Sequence, residues 1–176
     1  MSLKSFKPYT KSRRGTILVD KSELWKGKPY KPLISNNNAS KGRNNLGRIT
    51  SRNHGGGHKK RYRHIDFYRK KFNMKAEVER IEYDPNRSCY IMLVKFEDGQ
   101  RFYYLAPQNI KIGDKIENGP NVEIKIGNSL PLQDIPVGVN IYNVELQPGA
   151  GGKIARSAGT SVVISGIDGN YSLIKM

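Results

Sequence analysis

KAEVERIEYDPNRSCYIMLVKFEDGQRFYYLA, from Lys75 to Ala106, is the stretch on which the fold turns. Lys75 to Tyr83 alternates imperfectly between apolar and polar residues, Asp84-Pro85-Asn86-Arg87 has turn chemistry, and Cys89 to Phe96 is a largely apolar run of strand length. Asp98-Gly99 is a strong hairpin signal, after which Gln100 to Ala106 reads as a returning strand. Shorter segments around Lys115-Ile116 and from Asn121 to Ile126 bring the expectation to about five strands, which a small barrel closes without leaving bare edges. This unit is expected over residues 74–127.

Beyond it the β language continues from residue 128 to residue 176. Gly138 to Leu146 alternates, Pro148 to Gly152 is a glycine-rich loop, and Lys153 to Arg156, Thr160 to Ser165 and Tyr171 to Lys175 read as strands, the last two joined through Asp168-Gly169. Met176 follows a strand directly, so this second unit is expected to be incomplete at its C-terminal side, with an edge to be filled by another chain.

The N-terminal side reads differently. Across residues 1–73, glycine, proline, asparagine and basic residues interrupt every periodicity, and only Thr16 to Val19 reads as a strand. Pro29, Pro32 and the run Ser35 to Ser40 are loop chemistry. The prediction is an extended arm leading into two small β units, an all-β chain.

Charge gives that arm a purpose. The formal net charge of +16 is confined to it: twenty basic and three acidic residues precede Phe72, against eleven and twelve from Phe72 onward. No acid occurs from Leu24 to Ile65, and Lys41 to Lys71 holds eleven Lys or Arg against Asp66 alone, interrupted by glycines at 42, 47, 55, 56 and 57. Such a segment is not expected to bury a core, since its cations repel and its glycines make regular structure entropically expensive. A polyanion would neutralise and mould it, which points to RNA or DNA.

Other classes fit less well. No apolar run approaches the roughly 20 residues that span a bilayer. The single cysteine, Cys89, rules out an internal disulfide and a Cys-based zinc site, and its apolar strand favours a core role. The start, MSLKSFKPYTKSRRGT, is basic, but Pro8 and the missing apolar stripe argue against a targeting helix. His54, His58 and Asp66 invite a metal-dependent nuclease reading, although the intervening glycines favour no helix that would align the histidines. Gly149 to Gly152 lacks the GK[ST] ending and the helix of a nucleotide-binding loop.

The expected contact residues are therefore cationic and amide groups. Arg13, Arg14, Arg43, Asn44, Arg48, Arg52, His54, His58, Lys59, Lys60, Arg61, Arg63, Arg69, Lys70 and Lys71 would meet phosphates and splayed bases, with Lys153 and Arg156 as a second patch. Tyr62, Phe67 and Tyr68, interleaved with these charges, suit stacking on unpaired bases and so favour RNA over duplex DNA.

KPYTKSRR (7–14), GRNNLGRIT (42–50), HGGGHKKRYRHIDF (54–67), IEYDPNRS (81–88), YYLAP (103–107) and the series from GNSLPLQDIPVG to YNVELQPGAGGKIARSAGT (127–160) together resemble the bacterial-type protein two of the large ribosomal subunit. Tyr142 departs from the histidine common in that family, and Ala150 from a lysine. The resemblance implies an oligonucleotide-binding-type barrel, then an SH3-like barrel. It also implies binding to large-subunit rRNA near the peptidyl-transferase region, support of subunit association and tRNA placement, and no catalysis.

Neighbouring ribosomal proteins are then expected partners, and no cofactor beyond Mg2+ carried by the rRNA. Because the family runs on past the point corresponding to Met176, a split protein with a separate C-terminal polypeptide is expected. The Asn, Lys, Ile and Tyr usage suggests an organelle-encoded chain in the mitochondrial matrix, with the bacterial cytoplasm as the alternative. A dissociable RNA-annealing or translation factor on the same barrel and arm is the competing class.

Overall fold

The computed structural model describes residues 3–36, 40–55 and 57–176; Asn37 to Ala39 of the polar run and Gly56 of the glycine triplet lie outside the described residues. The architecture is all-β. β1 (Leu3–Ser5) pairs antiparallel with β2 (Ile17–Val19) across a single helical turn, α1 (Lys11–Arg14), whose N-cap Thr10 accepts the Arg13 N–H at 3.3 Å. A second short ladder joins β3 (Ile34–Asn36) to β4 (Arg61–Arg63).

The first unit is a curled antiparallel sheet of the OB type. β5 (Ala76–Glu82), β6 (Ile91–Phe96), β7 (Arg101–Leu105) and β8 (Lys115–Ile116) lie in the order β7-β6-β5-β8. The imperfect alternation of β5 has a geometric cause. Its register against β6 shifts between Val78 and Arg80, so the face that carries Ala76 and Val78 before the shift carries Ile81 after it, and Glu82 is buried on the opposite face beside Tyr103. Asn121 to Ile126, expected as a strand, forms none; its apolar residues Ile124 and Ile126 stay exposed.

The apolar run of β6 reflects burial on both faces. Met92, Val94 and Phe96 join Ala76, Val78, Tyr104, Ile110 and Ile116 in one core. Ile91 and Leu93, on the opposite face, join Tyr103 and Leu105 in another, and Tyr30, Leu33, Ile65 and Phe67 cover it. That covering layer corrects the expectation that Lys41 to Lys71 buries no core, because Ile65 and Phe67 lie within it. A parallel bridge from Ile65 to Tyr103, with the Asp66 N–H donating to Tyr103 O at 3.0 Å, fixes the layer to the edge of β7.

The second, SH3-like unit contains β9 (Asn140–Ile141), β10 (Val162–Asp168) and β11 (Tyr171–Lys175), in the order β11-β10-β9. Val162 and Ile164 are buried, together with Val144, which bridges to Ile154. The Gly138 to Leu146 segment is thus a strand for only two residues, and Lys153 to Arg156 supplies only that bridge. Among the described residues, β11 pairs on one side alone.

Candidate nucleic-acid interface

The cations placed by sequence on one arm fall into two structural groups. In the first, every described residue from Arg43 to Arg61 is exposed, including Arg43, Arg48, Arg52, His54, His58, Lys59, Lys60 and Arg61. Within this group, residues 42–51 fold on themselves. The Asn44 carboxamide oxygen accepts the N–H groups of Leu46 (3.0 Å) and Arg48 (2.9 Å), and the Asn44 N–H donates to Arg48 O at 3.0 Å. Gly42, at φ 71°, accepts from Thr50 N–H and Ser51 N–H through its carbonyl, and a Cβ there would lie 2.2 Å from Ser51 O. Arg43 bridges to Ile49 and donates to Gly47 O at 2.8 Å. Asn44, expected as a contact, therefore spends its acceptor oxygen on building the loop.

In the second group, Arg63 to Lys71, three of the four Lys or Arg residues turn to partners within the chain. Arg63 is buried and pairs with fully buried Asp84 at 3.7 Å, which also accepts from Arg87 at 2.6 Å and from the Asn86 N–H at 2.9 Å. Arg69 is 7% exposed. Its guanidinium donates to Gly127 O at 2.7 Å and to the Tyr142 hydroxyl at 3.4 Å, and lies 4.4 Å from the centre of the Tyr104 ring. Lys71 pairs with Asp98 and lies over the Phe96 and Phe102 rings. Only Lys70 of the final trio stays exposed, 5.1 Å from the Tyr68 ring centre.

The second patch divides in the same way. Lys153 is exposed, whereas Arg156 donates to Gly152 O and covers the Phe67 ring at 3.9 Å. Of the aromatics expected to stack on bases, Phe67 is thus taken by Arg156 and its core, Tyr62 is half-buried against His64, and Tyr68 remains open. Arg13 and Arg14 are exposed on α1, with Arg13 5.8 Å from the Phe6 ring centre.

Electrostatics and hydrogen bonding argue against the other sites. Asp66 accepts the Tyr68 and Arg69 N–H groups at 2.9 and 3.2 Å, closing a turn, and no cluster of three potential metal ligands occurs among the described residues. The glycine-rich loop holds its own anion: the Glu145 carboxylate accepts from Gly149 N–H at 2.8 Å and Gly151 N–H at 3.0 Å, where a phosphate would otherwise sit. Burial pushes the Cys89 thiol pKa up, away from reactivity.

Sequence reasoning missed the contacts that hold the N-terminal segment down. Trp25 N–H donates to Ile81 O at 2.8 Å, Arg80 lies 4.8 Å from the Trp25 ring centre, and Lys21 lies 3.5 Å from that of Tyr83. Tyr30 N–H donates to the Tyr103 hydroxyl at 2.8 Å, and that hydroxyl donates to buried Glu82. The signal available was the aromatic content of an otherwise polar stretch, Trp25 and Tyr30 among lysines.

An OB-type sheet joined to an SH3-like sheet, with an acid-free exposed loop between β3 and β4, defines the class: a small two-unit β protein built around cation display. The chain belongs to the ribosomal protein L2 family, since the model described as "Ribosomal Proteins L2, RNA binding N-terminal domain" matches residues 30–118 and that described as "Ribosomal Proteins L2, C-terminal domain" matches residues 125–176. Proteins named large ribosomal subunit protein uL2 are similar over the whole chain: 75% identical in Pelagibacter ubique, 56% in Granulibacter bethesdensis and 54% in Rickettsia canadensis. The chain spans 63–64% of the length of these relatives.

Proposed function

We propose that the chain is a structural constituent of the large ribosomal subunit that binds and stabilises large-subunit rRNA. The observation that carries this reading is the exposed, acid-free display from Lys41 to Arg61, set against Arg63, Arg69, Lys71 and Arg156, which are committed within the chain. Arg43, Arg48, Arg52, His54, His58, Lys59, Lys60 and Arg61 are the phosphate and base contacts, with Arg13, Arg14, Lys70 and Lys153 beside them. Arg63, Arg69, Lys71 and Arg156 serve the fold. Placement near the peptidyl-transferase region, with support of subunit association and tRNA placement, belongs to the same proposal.

High-salt sucrose-gradient sedimentation tests it: an integral constituent stays with the large subunit, and release at moderate salt favours the dissociable factor. The relatives named above are bacterial, which favours the bacterial cytoplasm over the mitochondrial matrix. The free side of β11 is proposed to accept a further strand, from a separate polypeptide in the split-protein reading or from the same one; intact-mass analysis of the protein from purified subunits distinguishes these.

A further inference from the structure

The tip of the loop at 42–51 has a feature that phosphate binding does not explain. Leu46 is 71% exposed and Ile49 62%, on a segment that touches no apolar core. The backbone that carries Leu46 is nonetheless held in place by hydrogen bonds. Asn44-Asn45-Leu46-Gly47 closes as a β-turn through Gly47 N–H to Asn44 O at 3.0 Å, with Leu46 at its corner, its own N–H held by the Asn44 side chain. Arg43 and Arg48 flank the corner, and Arg43 is steadied by its bond to Gly47 O.

We propose that this turn is a preformed apolar wedge that recognises an unstacked or bulged step in RNA, with Leu46 against the exposed base face and the flanking arginines on the adjoining phosphates. The proposal rests on the RNA-binding reading above and adds to it the class of RNA feature that is read. Charge selects the occupant: with no acid from Leu24 to Ile65, the surroundings of Leu46 repel cationic partners and attract a polyanion. Chemistry selects the feature. Paired A-form RNA offers the side chain no open base face, whereas a bulge exposes one, and apolar side chains insert at such steps. Preorganisation by Asn44 removes the cost of ordering the tip on binding.

The test uses the full chain and two RNA hairpins of identical stem, one fully paired and one with a single-nucleotide bulge, at fixed salt. Wild type should bind the bulged hairpin about tenfold more tightly, an energy on the scale of one stacked base. Leu46→Asn should abolish that ratio while leaving affinity for the paired hairpin and the thermal melt unchanged, since Leu46 supports no core. Asn44→Ala, which keeps the leucine but frees the turn, should reduce the ratio by at least half.

A wild-type ratio near one, or a ratio unaffected by Leu46→Asn, overturns the wedge while leaving RNA binding standing. Failure to bind either hairpin overturns both readings. Loss of Leu46→Asn protein from large subunits with an unchanged ratio would show that a protein neighbour covers the tip, which also overturns the proposal.

Discussion

Residues 42–60 and 61–71 carry five Lys or Arg residues each and have opposite fates. The first is a glycine-rich loop whose cations all face solvent; in the second, three of the five Lys or Arg residues, Arg63, Arg69 and Lys71, are committed to partners within the chain. What separates them is the company of apolar residues. Ile65 and Phe67 alternate across a bridge to β7 and pull their neighbours onto the sheet, while Leu46 and Ile49 sit on a turn that closes on itself before reaching any core. A run of positive charge is therefore not one structural unit, and Arg69 of its inward part ties the β units together.

The largest expected loss is at Arg69. Its backbone sits in the left-handed region at φ 47°, which costs about 1 kcal/mol for a non-glycine residue. Its side chain offsets that by joining three parts: Tyr104 of the first unit, Gly127 of the connection and Tyr142 of the second. Arg69→Ala leaves the Gly127 carbonyl unsatisfied and opens a cavity, and should destabilise the full chain by about 2–4 kcal/mol, read as a thermal-melt decrease of roughly 5–15 °C. If the melt is unchanged and only RNA affinity falls, the inward group is a contact surface after all and the comparison fails.

Asp84→Asn should come next, at about 2–3 kcal/mol, because it removes the one anion facing two half-buried or buried guanidiniums, Arg63 and Arg87. Hydrogen exchange should then rise selectively in β4, which Arg63 anchors to the β5–β6 turn.

These anchors mark where sequence reading stopped. β6, β7, β8 and β11 were legible because apolar runs bounded by turn residues have few other uses, and their bounds match closely. Asn121 to Ile126 looked equally apolar but has no partner strand to complete a ladder, and alternation alone carries no information about partners. The cationic display was legible as composition. Which cations turn inward was not, because it depends on acids and carbonyls distant in sequence: Asp84 lies 21 residues from Arg63, and Gly127 lies 58 from Arg69.

The next effect appears only in alkali. Burial raises the phenol pKa values of Tyr103 and Tyr104 to about 12, from an ordinary value near 10. The folded state holds these protons more tightly than the unfolded chain does, so the contribution to stability is complete below about pH 10 and is lost as pH rises toward 12. Ultraviolet titration should show two phenols ionising late, and Tyr104→Phe should remove one of them and flatten the alkaline loss. A Tyr103 phenol that ionises near pH 10 would mean that the covering layer of Tyr30, Leu33, Ile65 and Phe67 opens readily.

The smallest effect on stability is expected in the exposed loop, and it sharpens the comparison most. Arg52 makes no contact with either core, so Arg52→Gln should leave the thermal melt within about 0.5 kcal/mol of wild type. Its signature belongs to binding. Each phosphate contact releases condensed counterions, so the slope of log affinity for single-stranded RNA against log salt should flatten by about 0.7 in this variant. Arg69→Ala, compared where both proteins are fully folded, should leave that slope unchanged, because its guanidinium faces a carbonyl and a ring rather than solvent. Equal slopes for wild type and Arg52→Gln would show that exposure alone does not select the contacting cations.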